Sequence, residues 1–315
     1  RHRSLMARTS GFSSFWEDAD QDRSPQKVKG DVVVVGLASC CGAAASSLFM
    51  SLSNQGDPAF LRPVDASFRS LLLFVPPLFA NQKILCGSVG KRSRYLYVNT
   101  AFGIGVAAAS SGALLRKGFN FSSWRIEGHL PFGLFMGSLC FYHLAEYLLV
   151  AYYNPTMLSI DSFLVQQEYV CAMAFSCCEY FLESYFFPGL KGWAVPTWLG
   201  LAGVAFGETF RKGALIQAGH NFTHLISSGS KRQEHQLVTH GVYSVSRHPG
   251  YFGWFWWSIS SQVLLSNPVS VVLFSAASWH FFNDRIPYEE AHLCRFFPEY
   301  SDYKQRVPTR IPWIP

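Results

Sequence analysis

The sequence predicts an all-α, polytopic integral membrane protein with about eight transmembrane helices. Charged residues make up 15% of its 315 residues, whereas soluble domains average about 25%. Hydrophobic residues make up 49% and gather in eight apolar segments. Because the sequence shows no internal repeat and no low-complexity linker, we expect one domain at residues 31–315, after a polar, basic tail at residues 1–30.

The eight apolar segments differ in length. The last two, at 250–266 and 268–284, are short and meet at Asn267 and Pro268. They predict a tight helical hairpin with Pro268 in the first turn of its second helix. The other six reach the roughly 20 residues that a helix needs to cross the hydrocarbon core. They are expected at 31–53, 66–88, 94–116, 130–153, 163–187 and 193–218.

The basic residues indicate how the chain is oriented. An even number of spans puts both ends on one side of the membrane, together with the long loop 219–249. The tail, this loop and the C-terminal segment carry most of the lysines and arginines, so the positive-inside rule places them in the cytosol. The net charge of +6 therefore indicates topology and contact with an anionic leaflet, and not a nucleic-acid-binding face.

Several titratable side chains fall inside the predicted spans, where an unpaired charge is costly. Two interpretations stay open for each: it lines a polar cavity, or it belongs to a buried network that fixes helix packing. As a group they favour an internal polar cavity. They are His143, Glu146, Glu168, Glu179, Glu183, Glu208, Arg211 and Lys212.

No metal site is predicted. The eight cysteines contain no C-x-x-C pair, so neither a zinc site nor a disulfide framework is indicated. His220 and His224 have an H-x-x-x-H spacing that on a helix would place two imidazoles on one metal, but no second histidine box accompanies them. Local hydrogen bonding is the favoured role for the histidines of this loop.

Residues 240–257, HGVYSVSRHPGYFGWFWW, change from a polar loop to an aromatic helix within a few positions. With HQLVT before it, the segment 235–257 resembles the isoprenylcysteine carboxyl methyltransferases. The blocks WHFFNDRIPYEE at 279–290 and KQRVPT at 304–309 resemble the same family, and the resemblance extends over about residues 130–315. The R-H-P-x-Y-x-G core alone is less specific, because it also occurs in phospholipid methyltransferases and sterol reductases.

This resemblance implies methyl transfer from S-adenosylmethionine to the C-terminal α-carboxylate of a farnesylated or geranylgeranylated cysteine, forming a methyl ester. It implies CaaX-type prenylated protein substrates, such as small GTPases, and a location in the endoplasmic reticulum membrane. The catalytic core is expected within about residues 130–315. Two alternatives stay open: an NADPH-dependent sterol reductase of related architecture, and a non-catalytic membrane receptor or scaffold.

Such a reaction needs alignment more than acid–base chemistry. An α-carboxyl has a pKa near ~3.5, so it is ionised in the cytosol and needs no general base. Alignment with the methyl donor supplies up to roughly 7–11 kcal/mol of the barrier in good cases. By the family motif, Arg285 binds the substrate carboxylate, since a guanidinium can donate two parallel hydrogen bonds to it. The alternative is an arginine that merely extends from a helix end towards water.

Another group should hold the cofactor, and Glu289, four residues after Arg285, can accept a hydrogen bond from its methionyl amino group. On a continuous helix, Arg285 and Glu289 share one face. Pro287 lies between them, and it either kinks the helix or begins a new one. Glu290 is the alternative cofactor ligand.

The loop before the seventh span is implied to complete the cofactor site. Pro249 and Gly250 end this loop and let the backbone approach closely. The favoured interpretation of Trp254, Trp256 and Trp257 is an ordinary interfacial aromatic belt. The cofactor-binding residues carried over by motif are His235, Gln236, Leu237, Val238, Tyr243, His248, Pro249, Gly250 and Tyr251.

Overall fold

The computed structural model describes residues 119–120, 125–126, 130–222 and 236–315. The predicted basic tail and the first three predicted spans lie outside these residues. The described part contains the last five predicted spans and the C-terminal segment, which together carry the motifs of the predicted site.

In the described residues the chain is helical except for one short antiparallel ladder, which confirms the predicted all-α class. The ladder joins β1 (Phe119–Asn120) to β2 (Arg125–Ile126). The described α-helices are α1 (Leu130–Tyr153), α2 (Gln167–Phe186), α3 (Pro188–Lys191), α4 (Ala194–Ala218), α5 (Val242–Val245), α6 (Pro249–Leu264), α7 (Pro268–Phe296) and α8 (Tyr300–Arg306). Short 3₁₀ helices lie at Pro155–Met157, Ile160–Phe163 and Gly219–Asn221.

Helix α1 begins and ends where the fourth span is predicted, at residues 130 and 153. Its most apolar window has a mean hydropathy of 1.5, and half of that window is buried. Among the described helices, α1 alone is long and apolar enough to cross a membrane by length and composition. Since three predicted spans lie outside the described residues, the count of eight spans stays a prediction.

The last two predicted spans correspond to α6 and α7, and Pro268 begins α7 as predicted. The prediction of two short helices is wrong for the second, because α7 runs for 29 residues to Phe296. The apolar run ends near residue 284, but the glutamates, leucine and arginine that follow are good helix formers. A change from apolar to polar sequence therefore does not end this helix, and Pro287 lies inside it.

Glycines allow α4 and α6 to pack with their backbones in contact. A Cβ atom on Gly207 would lie 2.6 Å from the carbonyl oxygen of Gly253, and one on Gly253 would lie 2.6 Å from the backbone nitrogen of Arg211. Small residues at helix interfaces permit such an approach between membrane helices. The contact brings the polar end of α4 against the first turns of α6, where the predicted loop motif ends.

We expect Gly207→Ala to lower the free energy of unfolding by about 1–3 kcal/mol, because the added methyl group meets backbone atoms that cannot move aside. Thermal unfolding of the purified protein in detergent measures this loss. Gly189→Ala is the matched control, since a Cβ atom at Gly189 meets nothing within 4 Å. Equal melting temperatures for the two variants would contradict the prediction.

Charged side chains hold the turn between α6 and α7. Lys191 Nζ lies 2.6 Å from the Glu183 carboxylate and donates to two carbonyl oxygens of the turn at 3.0 and 2.8 Å. Glu179 accepts from two backbone N–H groups at the start of α7, both at 2.8 Å, where the helix dipole favours a negative charge. These two glutamates therefore belong to a packing network, one of the two interpretations left open by the sequence.

Candidate active site

One cavity of about 630 Å³ lies between α1, α2, α4, α6, α7 and the C-terminal segment. It brings together every sequence-predicted site residue that the structure describes, while His235 lies outside the described residues. Those lining the cavity are Gln236, Leu237, Val238, Tyr243, His248, Pro249, Gly250, Tyr251, Arg285 and Glu289.

The loop before α6 is fixed by a glycine and two tyrosines. Gly241 has a φ of 62°, and a Cβ atom there would lie 2.2 Å from Gln217 Oε1, so the turn requires glycine. The Tyr303 hydroxyl donates to the carbonyl oxygen of Tyr243 at 2.6 Å, and the Tyr243 hydroxyl donates to that of Ala214 at 3.4 Å. Burial raises the pKa of Tyr243, so its hydroxyl remains a neutral hydrogen-bonding group in the cavity wall.

Arg285 and Glu289 are joined through Tyr251. Arg285 Nε donates to the Tyr251 hydroxyl at 2.8 Å, and that hydroxyl donates to Glu289 Oε2 at 2.5 Å. The guanidinium also lies over the ring of Phe281, 5.6 Å from its centroid. Since α7 is continuous through Pro287, both charged residues lie on one helix and line the same cavity.

Glu290 is buried beside the cavity. Arg247 Nε donates to its Oε1 at 2.5 Å, and Lys304 Nζ lies 2.6 Å from its Oε2. The His248 ring nitrogen and the Tyr300 hydroxyl lie 3.1 and 3.3 Å from Oε1. Burial acts to raise the pKa of Glu290, but hydrogen bonds from His248, Arg247 and Lys304 hold it well below its usual range. Glu290 thus joins α7 to the loop and to α8, and the geometry does not support it as the cofactor ligand.

We expect Glu290→Gln to lower the melting temperature at neutral pH, because breaking a buried ion pair costs about 3–5 kcal/mol. The pKa of Glu290 is lower in the folded chain than in the unfolded chain. Its carboxylate therefore stabilises the fold fully above the unfolded pKa of about 4.3, and progressively less as the pH falls below it. The difference in melting temperature between wild type and Glu290→Gln is therefore expected to shrink as the pH falls through that acidic range.

Thermal unfolding in detergent, from neutral pH down to about pH 3, tests this dependence. Glu299→Gln is the control, since Glu299 is exposed and lies outside the Glu290 cluster. The prediction would be contradicted by a difference in melting temperature between wild type and Glu290→Gln that stays constant over the whole pH range.

A second buried cluster lies where α1 meets α4. Arg211 donates to both carboxylate oxygens of Glu146, from Nε at 2.9 Å and from a terminal nitrogen at 3.0 Å, and Lys212 Nζ donates to Glu146 Oε1 at 2.8 Å. Arg211 also donates to the carbonyl oxygen of Gly250 at 3.3 Å and lines the cavity. Both interpretations of these charges hold here, because the network fixes packing and also borders the cavity.

The aromatic run of α6 does not form a simple interfacial belt. Trp257 is fully buried and stacks on Tyr142, with the ring centroids 4.4 Å apart. Trp254 lines the cavity. The belt interpretation is therefore wrong for Trp257, because the close contact between α4 and α6 turns this face of the helix inward.

The two histidines of the H-x-x-x-H spacing do not form a described cluster. His220 is exposed in the 3₁₀ turn after α4, and His224 lies outside the described residues. Among the residues that the structure describes, no group of three or more His, Cys, Asp or Glu side chains is placed to hold a metal ion.

Sequence reasoning missed several aromatic residues of the cavity wall. Tyr300 and Tyr303 lie three residues apart on one face of α8 and line the cavity, so the Y-x-x-Y spacing before the KQRVPT block was a usable signal. Tyr142 and Tyr169 also line it. Tyr142 lies in FYHLAEYL at 141–148, a block that also resembles the family, whereas Tyr169 lies outside every such block. Only the packing of α2 against the cavity reveals the role of Tyr169.

Comparison with known proteins gives consistent matches. A family model described as "Isoprenylcysteine carboxyl methyltransferase (ICMT) family" matches residues 198–295. The chain is 48% identical over 187 residues to the protein-S-isoprenylcysteine O-methyltransferase of Xenopus laevis, a match that covers 58% of this chain and 65% of that protein. It is 41% identical over 224 residues to the Tribolium castaneum enzyme of the same name, covering 70% of this chain and 79% of that protein. The Mus musculus enzyme of that name is 42% identical over 250 residues, 78% of each chain.

The fold is also similar to a solved structure, that of the eukaryotic intramembrane Ras methyltransferase ICMT. The TM-score is 0.66 at 33% identity, and the match covers 89% of this chain and 98% of that one. These findings confirm the resemblance predicted from residues 235–257 and the enzyme class that it implies, a membrane methyltransferase. The chain belongs to the isoprenylcysteine carboxyl methyltransferase family.

Proposed function

We propose that this chain transfers a methyl group from S-adenosylmethionine to the C-terminal α-carboxylate of a prenylated cysteine, forming a methyl ester. One observation carries the proposal: a single cavity has a charged, hydrogen-bonding end and a long apolar wall. Its volume of about 630 Å³ lies within the range of small-molecule sites. Relatives named protein-S-isoprenylcysteine O-methyltransferase support the same reaction class.

The apolar wall fits a prenyl chain. Phe175 on α2 and both Leu273 and Phe281 on α7 line the cavity and are also exposed at the surface. The cavity therefore reaches the outer face of the protein between α2 and α7. A prenyl chain gains about 0.8 kcal/mol per buried methylene from an apolar environment, so it can pass from the bilayer into this wall without meeting water.

The polar end fits S-adenosylmethionine. The Glu289 carboxylate can accept hydrogen bonds from an ammonium group, and Gln236 is exposed where the cavity meets the predicted cytosolic side. Leu237, Val238 and Tyr243 supply apolar and aromatic surface for an adenosine. We propose that these residues and His235, with His248, Pro249, Gly250 and Tyr251, form the cofactor site.

In this mechanism Arg285 positions the substrate carboxylate. The Tyr251 hydroxyl and the Phe281 ring hold the guanidinium in place. The Arg285 side chain therefore loses little conformational freedom when the substrate carboxylate binds. When bound, the cofactor supplies an electrophilic methyl group on a sulfonium. The carboxylate is already ionised, so no residue of the chain has to remove a proton. Once esterified, the group carries no negative charge, so Arg285 binds it more weakly and product release is favoured.

The test is incorporation of labelled methyl from S-adenosylmethionine into farnesylcysteine, with a base-labile ester as the expected product. The matched unprenylated cysteine substrate is expected to react far more slowly, because it lacks the group that binds the apolar wall. An NADPH-dependent sterol reductase would instead bind NADPH and not S-adenosylhomocysteine. A scaffold would keep its function in Arg285→Ala and Glu289→Ala variants, and neither it nor a reductase would produce the labelled ester.

We further propose that the substrates are prenylated CaaX-type proteins such as small GTPases, and that the enzyme lies in the endoplasmic reticulum membrane with both ends in the cytosol. The basic residues on the predicted cytosolic side support this orientation. Protease treatment of sealed microsomes that carry the protein with tags at both ends tests it. Both tags are expected to be cleaved from outside.

A further inference from the structure

A second groove lies on the outer side of α4 and α6. Its volume is about 430 Å³. None of its lining residues lines the main cavity, so it is separate from the candidate active site. The residues that line this outer groove are Gly203, Phe206, Phe252, Trp256, Ser260 and Arg310.

The outer groove follows the axis of α6. Phe252, Trp256 and Ser260 are four residues apart, so they lie on one helix face over about 12 Å of helix. The Phe206 ring meets Phe252 edge-on, with centroids 5.7 Å apart, and forms the facing wall. Gly203 closes the floor, because a Cβ atom there would lie 2.2 Å from Ser260 Oγ. The result is a narrow, mainly apolar channel open to the outside.

Arg310 is the charged residue of the outer groove. It is exposed, its Nε donates to the carbonyl oxygen of Val245 at 3.2 Å, and no described carboxylate forms an ion pair with it. Val245 ends the short helix just before α6, so the guanidinium stands at the end of the groove where α6 begins. The backbone of Arg310 has a φ of 63°, an uncommon conformation for arginine.

The segment that carries Arg310 is fixed by hydrogen bonds. The Ser246 hydroxyl donates to the carbonyl oxygen of Thr309 at 2.7 Å, and the Arg247 backbone nitrogen donates to that of Pro308 at 3.2 Å. The Thr309 hydroxyl donates in turn to the carbonyl oxygen of Ile314 at 2.5 Å. Arg310 is therefore held over the groove by the fold and is not a side chain on a loose tail.

We propose that the outer groove binds a membrane glycerophospholipid, with its phosphate on Arg310 and one acyl chain along α6. Charge complementarity carries the assignment: a guanidinium without a carboxylate partner is a preferred ligand for phosphate, and the surface that leads away from it is aromatic and apolar. The Arg310 end of the groove therefore matches the phosphate of such a lipid, and the aromatic surface along α6 matches an acyl chain. The start of α6 lies at the proposed cytosolic surface, the level at which headgroups are found.

Native mass spectrometry of the purified full chain in detergent tests the proposal, with dioleoyl phosphatidic acid as the probe. Arg310→Gln is expected to reduce lipid retention about tenfold, as for the loss of one charged hydrogen-bonding contact. Phe206→Ala is expected to reduce it as well, because it removes one wall for the acyl chain. Arg306→Gln is the matched control: Arg306 is exposed on α8, outside the groove, and its replacement is expected to leave retention unchanged.

Two further probes separate the sources of the binding. Dioleoylglycerol has the same chains without phosphate, and glycerol phosphate has the phosphate without chains; each is expected to compete poorly. Effective competition by glycerol phosphate would mean a site for free phosphate and would overturn the assignment to a lipid, as would equal retention of dioleoylglycerol. Unchanged retention in Arg310→Gln would also overturn it. If Arg310→Gln fails to fold, Phe206→Ala, whose ring is 45% exposed, carries the test.

Discussion

Arg285→Ala is expected to lower kcat/KM for methylation of farnesylcysteine by about 100-fold or more, because an unanchored carboxylate is misaligned with the methyl donor. Arg285→Lys keeps the charge but loses the two parallel hydrogen bonds. Its expected loss is smaller, about tenfold, comparable to one charged hydrogen bond. Transfer of labelled methyl at several substrate concentrations measures both variants.

Asp284→Ala is the control for Arg285. Asp284 is the preceding residue on α7, its side chain is 67% exposed, and it does not line the cavity. This variant is expected to methylate within about twofold of wild type, as for an exposed substitution whose side chain lies outside the cavity. Wild-type kcat/KM in Arg285→Ala would refute the assigned role, since the Tyr251 hydroxyl cannot replace a guanidinium as a cationic ligand.

Glu146→Ala is expected to lower the free energy of unfolding by about 3–5 kcal/mol, because it leaves a buried arginine without its carboxylate. Glu146 is fully buried, and both of its oxygens accept from Arg211. Activity is expected to fall too, since Arg211 also donates to the carbonyl oxygen of Gly250 at the cavity wall. Thermal unfolding in detergent and the methylation assay measure the two effects.

The double variant Glu146→Gln, Arg211→Met separates the ion pair from general packing. Replacing both partners of a buried ion pair by well-packed hydrophobic groups of similar volume is often close to neutral, and Glu146→Gln with Arg211→Met removes both charges with little change in size. The double variant is therefore expected to lose less stability than the single variants Glu146→Gln and Arg211→Met lose together, a favourable coupling between the two positions. Additive losses would show that the two side chains act independently and that the pair is not the stabilising unit.

Some boundaries of the fold can be predicted because they are encoded locally. The apolar run of α1 gives both of its ends, and Pro268 marks the start of α7. The end of α7 cannot be predicted in this way. Hydropathy reports where lipid contact stops, whereas the helix continues for as long as its residues favour helical geometry and find partners. Glu290 finds such partners in Arg247 and Lys304.

The candidate site likewise has a part that is encoded locally and a part that depends on contacts between distant segments. Residues of the contiguous loop and of α7 could be assigned from the motif, and the structure brings them to one cavity. The partner of Arg211 could not be assigned, because Glu146 lies 65 residues away and several other acidic residues were equally available in the sequence. An apolar helix also gives little sign of which face turns inward, so the buried position of Trp257 depends on how closely α4 and α6 approach.

The length of α7 bears on the depth at which the proposed chemistry would take place. Its 29 residues rise about 43 Å, whereas the hydrocarbon layer is about 30 Å thick. Arg285 lies 17 residues after Pro268, or about 26 Å along this helix, so the proposed span of α7 would place it near the opposite edge of the layer. On the proposed topology, bilayer thickness becomes a variable of the reaction, because hydrophobic mismatch shifts this level relative to the headgroups at which the donor arrives.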